Sequence, residues 1–134
     1  MENHRQIYKT REKIVRNYID GYNEFDIGKM VSDFSENIIF QNILDDEVNM
    51  RLNGIHAFIK QAEQAKLYFE NRRQQITNIV HSMDTMEIEI NYFAKLATDF
   101  PNGVKKGDKL ELYGKSIFKF VDYKIVEITD INQS

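Results

Sequence analysis

Apolar residues recur at helical spacing at the start of the chain. Ile7, Ile14, Val15, Tyr18, Ile19 and Tyr22 fall on one face, which predicts an amphipathic helix over residues 5–22, ending around Gly21 and Asn23. Asp26 is placed to cap a short second helix, because its carboxylate can accept from the free N–H groups of a first turn; Ile27, Met30, Val31 and Phe34 would form its buried stripe. The two helices are expected to pack as an antiparallel pair. A β-branched and aromatic run follows at 37–43, whose alternation puts Ile38, Phe40 and Asn42 on one face and Ile39, Gln41 and Ile43 on the other. A strand at 47–52 with Val48, Met50 and Leu52 on one side precedes Asn53-Gly54. There a third helix opens with Ile55, Phe58, Ile59, Ala62, Ala65 and Phe69 at helical spacing, and it is expected to lie across the sheet.

The second half alternates with period two. Strands are predicted at 74–81, 85–97, 109–121 and 124–131, forming an antiparallel meander. Turns are marked by Ser82-Met83-Asp84, by the loop from Pro101-Asn102-Gly103 through Gly107-Asp108, and by Val121-Asp122-Tyr123. Ile88, Ile90, Tyr92, Ala94 and Leu96 share a face, as do Leu110, Leu112, Gly114, Ser116, Phe118 and Phe120. Helices first and strands later make an α+β protein.

At 134 residues the chain has the size of one domain, spanning 1–134, able to bury about two-thirds of its unfolded surface. Its 18 basic and 21 acidic residues are interleaved and sum to −3, leaving no extended positive surface for nucleic acid. No apolar run approaches the roughly 20 residues that span a bilayer, and the charged start lacks a signal-peptide core, so a soluble cytoplasmic protein is expected. The absence of cysteine removes disulfides, thiolate chemistry and sulfur-ligated metals. His4, His56 and His81 are isolated, without metal-ligand spacing, and neither a metal nor a cofactor is expected. Gly114-Lys115-Ser116 ends like a phosphate-binding loop, but Lys109 stands where that loop needs glycine and the segment continues as a strand.

The order of elements resembles that of the nuclear transport factor 2-like superfamily. The stretch from Tyr18 through Gly21-Tyr22-Asn23 and Asp26-Ile27 to Val31 and Phe34 is similar to the helix-pair signature of its SnoaL-like and ketosteroid isomerase-like members. Gly114 to Phe118-Lys119-Phe120, followed by Lys124-Ile125-Val126-Glu127-Ile128-Thr129-Asp130, resembles their paired last strands. The resemblance covers nearly the whole chain. It implies a cone-shaped, curved antiparallel or mixed sheet wrapped around about three helices, of the cystatin-like kind, enclosing an apolar pocket. Isomerases, cyclases, dehydratases, epoxide hydrolases and binding modules share that scaffold.

In the ketosteroid isomerases a Tyr and a protonated Asp stabilise a dienolate oxygen while a second Asp moves the proton. The resemblance places Tyr18 at that Tyr, but Asn42 at the proton-moving Asp and Ser116 at the other. An amide has no useful basicity near neutral pH, so steroid isomerisation by Asn42 is disfavoured. Asp130 matches an Asp common in the last strand of SnoaL-like members. Parity places it with Val126 and Ile128; facing a pocket it would be a desolvated acid or base, and at a strand end it would simply meet water or a lysine. The candidate catalytic residues are therefore Tyr18 and Asp130. The candidate pocket is lined by Tyr18, Phe40, Asn42, Met50, Tyr92, Ser116 and Phe118, its ligand a small apolar molecule of polyketide or steroid type. The bland alternatives are a core Tyr18 bonded to the backbone, and Asn42 and Ser116 bonded to each other. Three roles are open: a binding protein, a cofactor-free isomerase, cyclase or hydrolase, and an interaction module. On the outer face Glu87, Glu89, Lys95, Glu111, Lys115 and Lys119 surround Phe93, Tyr113 and Ile117, an apolar patch that predicts a homodimer.

Overall fold

The computed structural model describes residues 3–101 and 103–132; Asn102, expected in the long loop, lies outside them. The first helix, α1 (His4–Asn23), begins where the Asn3 side chain accepts from the Gln6 N–H at 2.9 Å. It ends at Asn23, as expected, with Gly21 inside its last turn. That glycine is buried inside the helix and lets the next segment approach: a β-carbon there would stand 2.8 Å from the Met30 nitrogen and 3.0 Å from the Asp26 carbonyl oxygen. The chain reverses through Phe25, at φ 58°, and Asp26 caps α2 (Ile27–Met30) by accepting from the Lys29 N–H at 3.0 Å. Because α2 is a single turn, Phe34 does not extend its stripe; it is buried as the first residue of β1 (Phe34–Leu44).

Gly21→Ala isolates the effect of that close approach. Propensity alone would favour alanine by about 1 kcal/mol. Overpacking against backbone that cannot swing aside outweighs this, and a net loss of about 1–3 kcal/mol is expected in urea unfolding. An unchanged or raised midpoint would show that α1 and α2 have room to separate.

The remaining elements are β2 (Glu47–Asn53), α3 (Ile55–Ala65), a 3-10 turn at Lys66–Tyr68, β3 (Phe69–His81), β4 (Thr85–Leu96), β5 (Lys109–Val121) and β6 (Lys124–Asn132). They build a six-stranded mixed sheet in the order β2-β1-β6-β5-β4-β3, with β1 and β6 parallel and every other neighbouring pair antiparallel. No helix is long and apolar enough to cross a membrane among the described residues. The third helix ends four residues before Phe69, which opens β3 instead. Its spacing after Ala65 fits a helix, but pairing of Phe69 through Arg73 with β4 overrides that local pattern and starts the strand before the expected Gln74.

Bulges bend the sheet and break the expected parity. Asn42 pairs with Met50 but Ile43 with Val48, so Asn49 is the extra residue and Val48 is 56 % exposed rather than beside Met50. Lys119 pairs with Glu127 but Phe120 with Ile125, so Val126 is extra; Ile125, not Val126, shares the interior with Ile128. Leu112, expected inward, is 37 % exposed, because among the described residues β5 pairs with β6 only from Gly114 onward. The core joins Val15, Ile19, Ile38, Met86, Ile88 and Phe118, with Phe58 edge-on to both Phe34 and Phe40.

Candidate functional site

Register brings three polar side chains into a row on the inner face. Asp130 on β6 pairs with Asn42 on β1 to one side and with Ser116 on β5 to the other. The Ser116 hydroxyl donates to Asp130 Oδ1 at 2.6 Å. The Asn42 amide accepts from Asn132 Nδ2 at 2.9 Å and donates to Asn49 Oδ1 at 2.8 Å. Asn42 and Ser116 therefore do not bond each other; the carboxyl lies between them, and Asn42 is held in an amide chain running from β6 to β2.

A cavity of about 500 Å³ opens over this row, within the range of small-molecule sites. Of the expected lining, Tyr18, Phe40, Asn42, Met50, Tyr92 and Ser116 face it, together with Asp130. Phe118 does not. It is fully buried next to the row, where the edge-on ring of Tyr18, 5.6 Å between centroids, occupies the space it would face. Apolar walls come from Leu52, Phe58 and Ala62.

The electrostatics follow from burial. Removal from water pushes the Asp130 carboxyl up to about 6, against the opposing pull of the Ser116 hydrogen bond. Tyr18 is 6 % exposed, and its hydroxyl has no hydrogen-bond partner among the described residues. Burial first, and then the nearby Asp130 charge, push its phenol well above the ordinary value, so it remains a proton-bearing donor. A carboxyl pushed up to about 6 by burial and a proton-bearing phenol in one cavity can transfer a proton and support the oxygen on which charge develops.

The cavity holds a further charged group that no local sequence pattern marks out. Arg72, on β3, is 5 % exposed; its Nε donates to the Tyr22 carbonyl at 2.9 Å, and its guanidinium lies 3.7 Å from the Tyr22 ring centroid and 4.5 Å from that of Phe25. Beside it the Tyr22 and Tyr92 hydroxyls share a 2.8 Å hydrogen bond, and burial raises both phenols. A strand beginning at Gln74 leaves Arg72 between elements; β3 begins at Phe69, and the alternation of Arg72, Gln74 and Ile76 along it places Arg72 inward. Among the described residues no group of three or more His, Asp or Glu side chains could hold a metal ion.

No protein-family model matches the chain, and no curated protein matches it in sequence. Solved structures do. A candidate SnoaL-like polyketide cyclase from Jannaschia sp. CCS1 superposes with a TM-score of 0.76 at 12 % identity, over 91 % of this chain and 84 % of that one. A candidate ketosteroid isomerase from Kribbella flavida DSM 17836 gives 0.70 at 15 %, over 94 % and 79 %. A nuclear transport factor 2-like protein of unknown function from Burkholderia pseudomallei K96243 gives 0.73 at 10 %, over 90 % and 88 %. Identities this low speak to architecture alone, and with the six-stranded curved sheet and its helices they establish that the chain has the nuclear transport factor 2-like fold.

Proposed function

We propose that the chain binds a small, largely apolar molecule of polyketide or steroid type in the cavity and moves a proton on it, with Asp130 as the acid or base. The observation that carries this is the Asp130 carboxyl, fixed by Ser116 in the same cavity as the Tyr18 hydroxyl. As carboxylate, Asp130 takes a proton from a carbon next to a ligand carbonyl; the electron pair moves onto the carbonyl oxygen, where the Tyr18 O–H donates a hydrogen bond. The protonated Asp130 then returns the proton at another atom, which completes an isomerisation, or at the alkoxide formed when the enolate carbon attacks a second carbonyl, which completes a cyclisation. Asn42 orients the ligand rather than taking part in proton transfer. The candidate polyketide cyclase and candidate ketosteroid isomerase named above support this reaction class, as proteins of the same fold.

The outer sheet face serves association in this reading. Tyr113 is 71 % exposed there, in a depression bordered by Glu89, Asn91, Glu111 and Lys115, and a second copy covering it would make a homodimer.

Native mass spectrometry of freshly purified protein, with androstenedione and anthraquinone offered as ring probes, tests both statements. One adduct per chain on a dimer is expected, and Ala62→Trp, which fills the cavity, should lose the adduct. A chain that stays bare with its own co-purified material and with both probes would sink the binding reading, and a monomer mass at every concentration would sink the dimer.

A further inference from the structure

Arg72 poses a physical problem. Its charge is buried, yet none of the ion pairs among the described residues involves it, and its Nη2 is a buried donor without a partner. A buried charge left without a counter-charge is costly unless something supplies one. Elsewhere the guanidinium is well fixed: Nε is spent on the Tyr22 carbonyl in the last turn of α1, and its faces are taken by the rings of Tyr22 and Phe25. What is left is the Nη2 donor of a rigidly held guanidinium, without a partner among the described residues, on a residue that lines the cavity.

We propose that Arg72 receives an anionic oxygen group of the ligand, so that the cavity prefers an apolar body carrying a carboxylate or comparable oxyanion over the same body without the charge. A planar carboxylate suits the guanidinium fork, and the ring-lined surroundings exclude the water that would otherwise compete. The Tyr22–Tyr92 hydroxyl pair stands at the same end of the cavity as a further donor. Arg72 on β3 and Asp130 on β6 are separated by β4 and β5, so binding the anion at Arg72 fixes which end of the ligand lies over the carboxyl row. The proposal rests on the cavity being a ligand site.

Two dyes with the same rings test it: anilinonaphthalene sulfonate, which is anionic, and N-phenylnaphthylamine, which lacks the sulfonate. Fluorescence titration is expected to show the anionic dye binding at least about tenfold tighter, the value of one hydrogen-bonded charge contact. Arg72→Gln keeps an N–H at the position of Nε for the Tyr22 carbonyl and removes the charge together with the outer guanidinium nitrogens and their ring contacts. It should erase the preference, the anionic dye losing about tenfold more affinity than the neutral one. Equal binding of the two dyes to the unaltered protein, or a preference that survives Arg72→Gln, overturns the proposal and leaves the cavity standing as a site. Equal weakening of both dyes by Arg72→Gln would mean that Arg72 only anchors α1, and overturns it too. Failure of both dyes to bind removes the ligand site and the anion subsite together.

Discussion

Asp130→Asn is expected to lower turnover of a cavity ligand by about 10²–10⁴-fold, the usual worth of a positioned acid or base, while leaving the fold intact. The replacement is nearly isosteric, and its amide oxygen can still accept from the Ser116 hydroxyl that now donates to Asp130 Oδ1. What it removes is the ability to hold and release a proton. In the unaltered protein the carboxyl titrates at about 6, so a rate that needs carboxylate should climb with pH below about 6 and level off above it, and the variant should show no such limb. Stability should move the other way. Burial raises the folded-state pKa above the unfolded one, so the stability linked to this proton is complete below the unfolded value near 4 and is lost as pH rises through about 6. Asp130→Asn should therefore be at least as stable as the unaltered chain at pH 7 in urea unfolding. A fully active variant would remove Asp130 from the chemistry.

Phe118→Ala should cost about 3–5 kcal/mol, the range for emptying a buried phenylalanine site. Phe118 is 0 % exposed, packed against Tyr18 and between the neighbouring strands, so little around it can collapse inward. Domains of this size are stable by about 5–15 kcal/mol, so the loss takes much of the margin and should appear as a large drop in the urea midpoint. A cost below about 1 kcal/mol would show that the Tyr18 ring drops into the space, which would also shift the phenol that lines the cavity.

The long strands were legible because alternation over many residues leaves little choice of face: β5 matches its expected bounds, and Ser116 lies inward as its neighbours required. Asp130 is inward too, although the companion assigned to it, Val126, is displaced by a bulge that no local pattern announces. The two positions where the resemblance led one to look for carboxylates hold Asn42 and Ser116, and only the parallel pairing of β1 with β6 shows that a carboxyl stands between them. Arg72 was missed for a different reason. Glu70-Asn71-Arg72-Arg73 has no apolar rhythm, and its strand conformation comes from pairing with β4. Phe118 illustrates the limit of facing alone: a residue can point inward and still meet another ring rather than empty space.

The parallel β1–β6 pair joins segments far apart in the sequence. The Asn132–Asn42 hydrogen bond spans 90 positions in the sequence, and the Asn42–Asp130 pair is nearly as remote. During synthesis the β1–β2 hairpin must wait, with one edge of β1 unpaired, until the final strand has left the ribosome, whereas the β3–β4–β5 meander can close as it emerges. Until β6 arrives the nascent chain carries an unpaired β1 edge and no carboxyl row, and the closure that hides the edge is the same event that first brings the carboxyl beside its amide neighbour.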